Sequence, residues 1–192
     1  MKIGLYFGTF NPVHIGHIAI AGFMAQFAGL DQVWLVVSPQ NPLKDKKSLL
    51  KDYHRLAMLR AALDDYSYIK ASDVELHLPV PSYTTTTLAH LEEKHPEHTF
   101  SLIMGSDNLE SLHKWKNYEV ILEHYDLYVY PRPGHEGGLL RHHPRVHWMA
   151  LAPQFNISAT FIRESVKNKK DIRYLMPEKA WQYMQEMHFY ER

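Results

Sequence analysis

The chain has 192 residues, 45% of them hydrophobic, enough to bury one core, and its 21 basic side chains balance 21 acidic ones. That balance excludes a surface dominated by long-range attraction to nucleic acid or to anionic membrane. The absence of cysteine excludes disulfides and thiolate metal sites and agrees with a cytoplasmic location.

The opening segment lacks the apolar stretch and cleavage site of a secretory signal, so the mature chain is expected to start there, with Lys2 to Phe7 as a first strand. From Ile15 the apolar spacing becomes helical through Ile18, Ala21, Gly22 and Ala25. The run to Leu30 contains His17 and Gln26 and is too short to span a bilayer. Between strand and helix lies Gly8-Thr9-Phe10-Asn11-Pro12-Val13-His14-Ile15-Gly16-His17. Gly8 lets backbone approach an anion, and the helix start offers free N–H groups and positive dipole. His14 and His17, three apart, face the same way. One histidine near a helix start is more often solvated than catalytic; the ordered combination is what points to phosphate. No Gly-Lys-Ser/Thr follows, so this is not a Walker loop, and the glycine fingerprint of dinucleotide-dependent hydride transfer is absent.

Gln32 to Val37 reads as a second strand, and Ser38 to Lys51, with two prolines and four lysines, as a long loop able to close over a substrate. A helix from Asp52 to Leu63, a short strand near Tyr68 to Ala71 and an extended segment at Val74 to Leu78 follow, before the turn Pro79-Val80-Pro81. Tyr83 or Thr84 starts a helix reaching Lys94. Thr99 to Met104 is a strand ending at Gly105, and Tyr125 to Tyr130 another ending at Pro131, with short helices between. A surface loop from Pro131 to Pro144 precedes a last strand at Val146 to Ala150 and helices at Thr160 to Asn168 and Glu178 to Met187. The alternation predicts an α/β, Rossmann-like, doubly wound and mainly parallel sheet with helices on both faces. A single domain, 1–192, is expected, with ligands at the carboxyl ends of its strands.

Ile157-Ser158-Ala159-Thr160-Phe161-Ile162-Arg163 reads as another helix start, with Ser158 or Thr160 able to cap and Arg163 one turn inside; an ordinary capped surface helix is the alternative. Arg55 opens the helix after the Ser38 to Lys51 loop, where it could orient the loop or the phosphates, although an arginine there is more often simply solvated. His135, His142, His143 and His147 lack a recognised ligand spacing and read as a polar loop.

The Gly-x-Phe-x-Pro-x-His-x-Gly-His string resembles the signature of the nucleotidyltransferase superfamily, which transfers a nucleoside monophosphate from a triphosphate. In that superfamily an Ile-Ser-x-Thr-x-Ile-Arg motif near the carboxyl terminus grips the triphosphate, and residues 157–163 match it in the right order. Gly105-Ser106-Asp107-Asn108 followed by Leu112 and Trp115, with Ser82-Tyr83-Thr84 and Leu88 upstream, looks like the bacterial nicotinate-nucleotide adenylyltransferase family over nearly the whole chain.

The resemblance implies transfer of the adenylyl group of ATP to nicotinate mononucleotide, giving deamido-NAD and pyrophosphate in NAD synthesis. It implies His14 and His17 as catalytic residues. ATP is then expected to meet Gly8, Thr9, Phe10, His14, His17, Lys44, Gly105, Asp107, Ser158, Thr160 and Arg163. For nicotinate mononucleotide the candidates are Thr84 and Thr85, whose helix-start amides suit a carboxylate, and Trp115, a flat face for a pyridine ring. Taken alone, these are equally a threonine-rich cap and a core tryptophan. Where the family often has Pro-His-Lys this chain has Pro42-Leu43-Lys44, one donor fewer. Arg132 resembles a strand-end arginine of the family, with no role assigned. Mg2+ is expected to ride on the ATP phosphates, with no metal site on the protein. ATP and nicotinate mononucleotide are the expected partners, without nucleic acid or membrane, and a homo-oligomer is left open. Nicotinamide mononucleotide or phosphopantetheine as acceptor, or a nucleotide sensor without turnover, are the rival readings.

Overall fold

Strand β1 (Lys2–Gly8) pairs in parallel on both sides, with β2 (Gln32–Val37) and with β4 (Thr99–Gly105), in the computed structural model, which describes residues 1–39 and 49–191. The sheet continues outward to β3 (Ile69–Ser72) on one side and to β5 (Leu127–Tyr130) and β6 (Val146–Trp148) on the other. Its order is β3-β2-β1-β4-β5-β6, and every pairing is parallel. This is the α/β, doubly wound architecture that the alternation of elements predicts. Strand order reverses between β1 and β4, so the loops leaving their carboxyl ends diverge and open a crevice there. Gly8 and Gly105, the last residues of those two strands, stand at its mouth.

Helices cover both faces because successive strand residues point to opposite sides and both sides are apolar. On one face Tyr6, Val33 and Leu35 pack with α1 (Ile15–Phe27), α2 (Asp52–Leu63), α6 (Ala159–Lys167) and α7 (Glu178–Glu186). On the other, Ile3, Leu5, Leu102 and Met104 pack with α3 (Thr84–Lys94), α4 (Ser106–Ser111) and α5 (Tyr118–His124). Among the described residues no helix is long and apolar enough to cross a membrane.

The structure corrects one expected element. Val74–His77 is a 3₁₀ turn and not an extended segment, with Leu76 N–H donating to the Asp73 carbonyl at 2.9 Å. Its Val-Glu-Leu-His alternation mimics a half-exposed strand, but Glu75, the residue such a strand would turn to water, is buried and accepts a hydrogen bond from the Thr87 hydroxyl. The last strand also stops at Trp148, because Ala150 N–H turns back to the Trp148 carbonyl. Of the expected 38–51 loop, residues 40–48 lie outside the described residues, Lys44 among them.

Candidate active site

Between β1 and α1 the chain bends sharply at Phe10, whose φ of 45° lies in the left-handed region and whose side chain is buried in the core. A non-glycine residue there is strained by about 1–2 kcal/mol, so the surroundings must hold it. The ring folds back over Gly8, where an added Cβ would stand 3.0 Å from it. Gly8 therefore makes room for Phe10, which in turn props the bend from beneath.

Two guanidinium groups clamp that bend. Arg55, fully buried on α2, donates to the carbonyls of Thr9 at 2.5 Å, Ser38 at 2.9 Å and Leu50 at 3.1 Å, and pairs with Asp52. Arg163 donates to the Asn11 carbonyl at 2.8 Å and to the Thr160 hydroxyl at 3.1 Å. The Asn11 side-chain oxygen accepts from Leu50 N–H and from the Tyr190 hydroxyl. The carbonyl oxygens of Thr9 and Asn11, which would repel an anion, are thus occupied by cations. Arg55 is not the solvated helical arginine of the sequence reading. Its position with Met58, Leu59 and Ala62 on the buried face of α2 was the available signal.

His14 caps α1 and His17 lies one turn in, their rings stacked with centroids 3.6 Å apart. The His14 backbone N–H donates to His17 Nδ1 at 3.2 Å. That bond places the proton of a neutral His17 on Nε2, leaving Nε2–H as the outward donor. Phe10 meets His17 edge-on at 5.1 Å, and the Tyr6 ring lies 6.2 Å from it. Burial, helped by the Arg132 guanidinium, pulls His14 down to about 4. Burial, the His14 ring and Arg132 together hold His17 well below the usual imidazole range. At neutral pH both rings are uncharged donors. His14 Nδ1 is buried with no hydrogen-bond partner.

Across the crevice, Gly105 has no room for a side chain, since a Cβ would lie 2.4 Å from an Asp107 carboxylate oxygen and 2.6 Å from the Arg132 side chain. Arg132 N–H donates to the Ser106 hydroxyl at 2.8 Å, which fixes the loop after β5 against the start of α4. Arg132 Nε stands 3.8 Å from Asp107 Oδ1, too long for a hydrogen bond, and that buried oxygen has no other partner. His14, His17, Tyr130, Arg132 and Ser158 line one cleft. Thr160 and Arg163 line a second groove with Leu49, Leu50 and Tyr190, tied to the first through the Arg163–Asn11 bond. Ser158 is the cap of α6, accepting from Phe161 N–H at 3.1 Å.

Of the pyridine candidates, Thr84 and Thr85 open α3 and Trp115 follows the 3₁₀ turn after α4. Tyr83 caps α3 and its carbonyl takes the N–H groups of Thr86 and Thr87, so the amides of Thr84 and Thr85 are the leading, unpaired ones that every helix start presents. Lys116 stacks over the Tyr83 ring at 4.3 Å, and its sequence neighbour Trp115 is half-buried against the core on that face of the sheet. Lys116 is a cation that the sequence reading passed over; only its adjacency to Trp115 hinted at it.

A family model described as cytidylyltransferase-like matches residues 5–165, a span running from β1 through the first turns of α6. This chain belongs to the cytidylyltransferase-like family. Its members in Flavobacterium johnsoniae and Flavobacterium psychrophilum, each named "Probable nicotinate-nucleotide adenylyltransferase", are 57% and 55% identical to it, each match covering the full length of both chains. Among solved structures, the nicotinic acid mononucleotide adenylyltransferase of Plasmodium falciparum, complexed with NaAD, superposes with a TM-score of 0.82. It is 19% identical, with 99% of this chain and 97% of that chain covered, so the likeness is one of fold.

Proposed function

We propose that the protein joins nicotinate mononucleotide to the adenylyl group of ATP, giving deamido-NAD and pyrophosphate. The observation that carries this reading is the convergence of His14, His17 and Arg163 on one bend at the point where strand order reverses. The name shared with full-length relatives at 57% and 55% identity points to the same reaction.

An oxygen of the acceptor phosphate attacks the α-phosphorus of ATP, and the bond to the bridging α–β oxygen breaks with its electron pair leaving on pyrophosphate. No covalent enzyme intermediate is needed. The protein's work is to align two anions and to offset charge growing on the leaving group. His17 offers Nε2–H and His14 a second donor to the phosphate oxygens, while Arg132 and Arg163 supply fixed positive charge on either side. The arriving polyanion favours protonation of the two stacked rings, which are neutral without it. Thr160 and Ser158 shape the α6 end of the cradle. Lys44 belongs to this set on its sequence position alone.

The unpartnered Asp107 oxygen suits a ribose hydroxyl of the adenosine. For the acceptor, the Thr84 and Thr85 amides and the Lys116 ammonium favour a carboxylate, and Trp115 offers a face to the pyridine ring. The described residues lining the His14, His17 and Arg132 cleft include no carboxylate, a donor set that fits a magnesium ion held by phosphate and water oxygens. Bound with the nucleotide, such an ion would supply positive charge at the departing pyrophosphate.

Purified protein incubated with ATP, magnesium and either pyridine mononucleotide tests the reading, with products identified by mass. Deamido-NAD formed faster than NAD supports it. Adenylyl transfer to phosphopantetheine alone, or ATP binding without pyrophosphate release for any acceptor, overturns it.

A further inference from the structure

A four-residue turn, His95-Pro96-Glu97-His98, joins α3 to β4 at the amino-terminal edge of the sheet. It is separated from the crevice by the length of β4, about 20 Å. His98 N–H donates to the His95 carbonyl at 3.0 Å, and Pro96 holds the second position of the turn, where its locked φ is favoured. The turn brings both imidazoles and the carboxylate to one spot. Their ligating atoms all lie within 4.8 Å of one another, the one such cluster among the described residues. Glu97 Oε1 stands 3.7 Å from His95 Nδ1 and 3.3 Å from His98 Nδ1, and the two rings lie parallel within 7°. Ligand atoms around a tetrahedral zinc, with bonds of about 2.1 Å, sit about 3.4 Å apart.

A second observation points to a missing partner. The His98 side chain is 11% exposed, and its Nδ1 is buried without a hydrogen bond. The 3.3 Å approach to Glu97 is close but not aligned as one. A buried ring nitrogen left in this state is uncommon unless something else engages it. Trp34 meets both imidazoles edge-on, at 5.7 and 6.3 Å, and walls off one side of the cluster. An apolar wall on that side strengthens the attraction between a cation and the imidazoles facing it. Two imidazoles and one carboxylate match the preferences of zinc and neighbouring transition metals, and not those of magnesium or calcium.

We propose that His95, Glu97 and His98 form a binding site for one divalent transition-metal ion, zinc in type, with a remaining position open to water. The ion ties the residue that caps the end of α3 to the residue just before β4. The other end of α3 carries Thr84 and Thr85, so the site anchors the helix whose start faces the acceptor while taking no part in the transfer itself.

Untagged, chelator-stripped protein titrated with zinc against a chromophoric chelator is the test, with cupric quenching of tryptophan fluorescence as a second readout. Wild type should bind one equivalent more tightly than any other. Glu97→Gln, at an exposed position that leaves folding intact, and His98→Gln should each weaken that equivalent by about tenfold or more. Trp34→Phe should remove the copper-sensitive part of the emission, and adenylyl transfer should stay within about twofold of wild type in all three variants. Equal tight zinc binding in wild type and in a His95→Gln/His98→Gln protein overturns the proposal, since the ion then sits on other histidines. Absence of any equivalent tighter than the general background overturns it too, leaving Glu97 as an ion-pair partner of the imidazoles.

Discussion

Arg163 Nη1 donates to the Asn11 carbonyl at 2.8 Å across 152 residues of chain, joining the carboxyl-terminal motif to the bend that carries the two histidines. Its other terminal nitrogen holds Thr160. One planar fork thereby sets the spacing of both walls of the proposed phosphate cradle, a task for which lysine has the charge but not the geometry. Arg163→Lys should raise KM for ATP by about tenfold or more, against a smaller change for nicotinate mononucleotide. Steady-state kinetics with each substrate varied in turn checks this; equal effects on both would remove the arginine from ATP binding.

The buried histidine pair makes the fold sensitive to acid. His14 titrates near 4 when folded and near 6.5 when unfolded, so below pH 6.5 the unfolded chain takes up a proton that the native state refuses. Stability is unaffected above that window and is lost as pH falls from about 6.5 toward 4, by on the order of 2 kcal/mol at pH 5 from His14 alone. His17 is lowered in the same direction and adds to the slope. Urea unfolding at pH 7 and pH 5 should show a smaller pH-dependent loss in His14→Ala than in wild type.

The same substitution should lower kcat by about two to three powers of ten, the range for loss of one donor to developing charge. Single-turnover measurement of pyrophosphate release reads this directly. Turnover within a factor of two of wild type would exclude His14 from the reaction.

Arg55 is expected to matter through folding. Removing its buried guanidinium strands three carbonyl oxygens, so Arg55→Met should cost about 3–5 kcal/mol, comparable to breaking a buried ion pair. Arg55→Lys keeps the charge but spans fewer of these acceptors, and its urea midpoint should fall between those of Arg55→Met and wild type.

Lys116 offers a test of acceptor choice. Lys116→Ala should reduce the ratio of kcat/KM for nicotinate over nicotinamide mononucleotide by about tenfold, the worth of one partly exposed charge contact, while KM for ATP holds steady. Paired assays with the two acceptors decide it; an unchanged ratio leaves discrimination to the α3 amides.

Strands β1, β2 and β4 were legible because burial on both faces makes them mostly apolar runs, and the two helix-start motifs because each packs its chemistry into ten residues or fewer. Val74–His77 was misread since alternation records polarity but not whether a polar side chain has a buried partner, as Glu75 has in Thr87. Arg55 hides for a related reason. Its three carbonyl acceptors come from segments that only the fold brings near, and nothing in the local spacing names them. The Tyr190–Asn11 contact, 179 residues apart, lies beyond any motif. Lys116 is found only once the ring of Tyr83 is seen beneath it.

That last long-range bond bears on how the molecule is made. During synthesis the segment with Asn11 leaves the ribosome early, yet the hydroxyl that steadies its amide arrives with Tyr190, almost two hundred residues later. A nascent chain can complete its sheet and still lack the hydroxyl that holds the Asn11 side chain. A chain shortened before Tyr190 therefore loses the contact that steadies the Asn11 amide, although all six strands precede that residue.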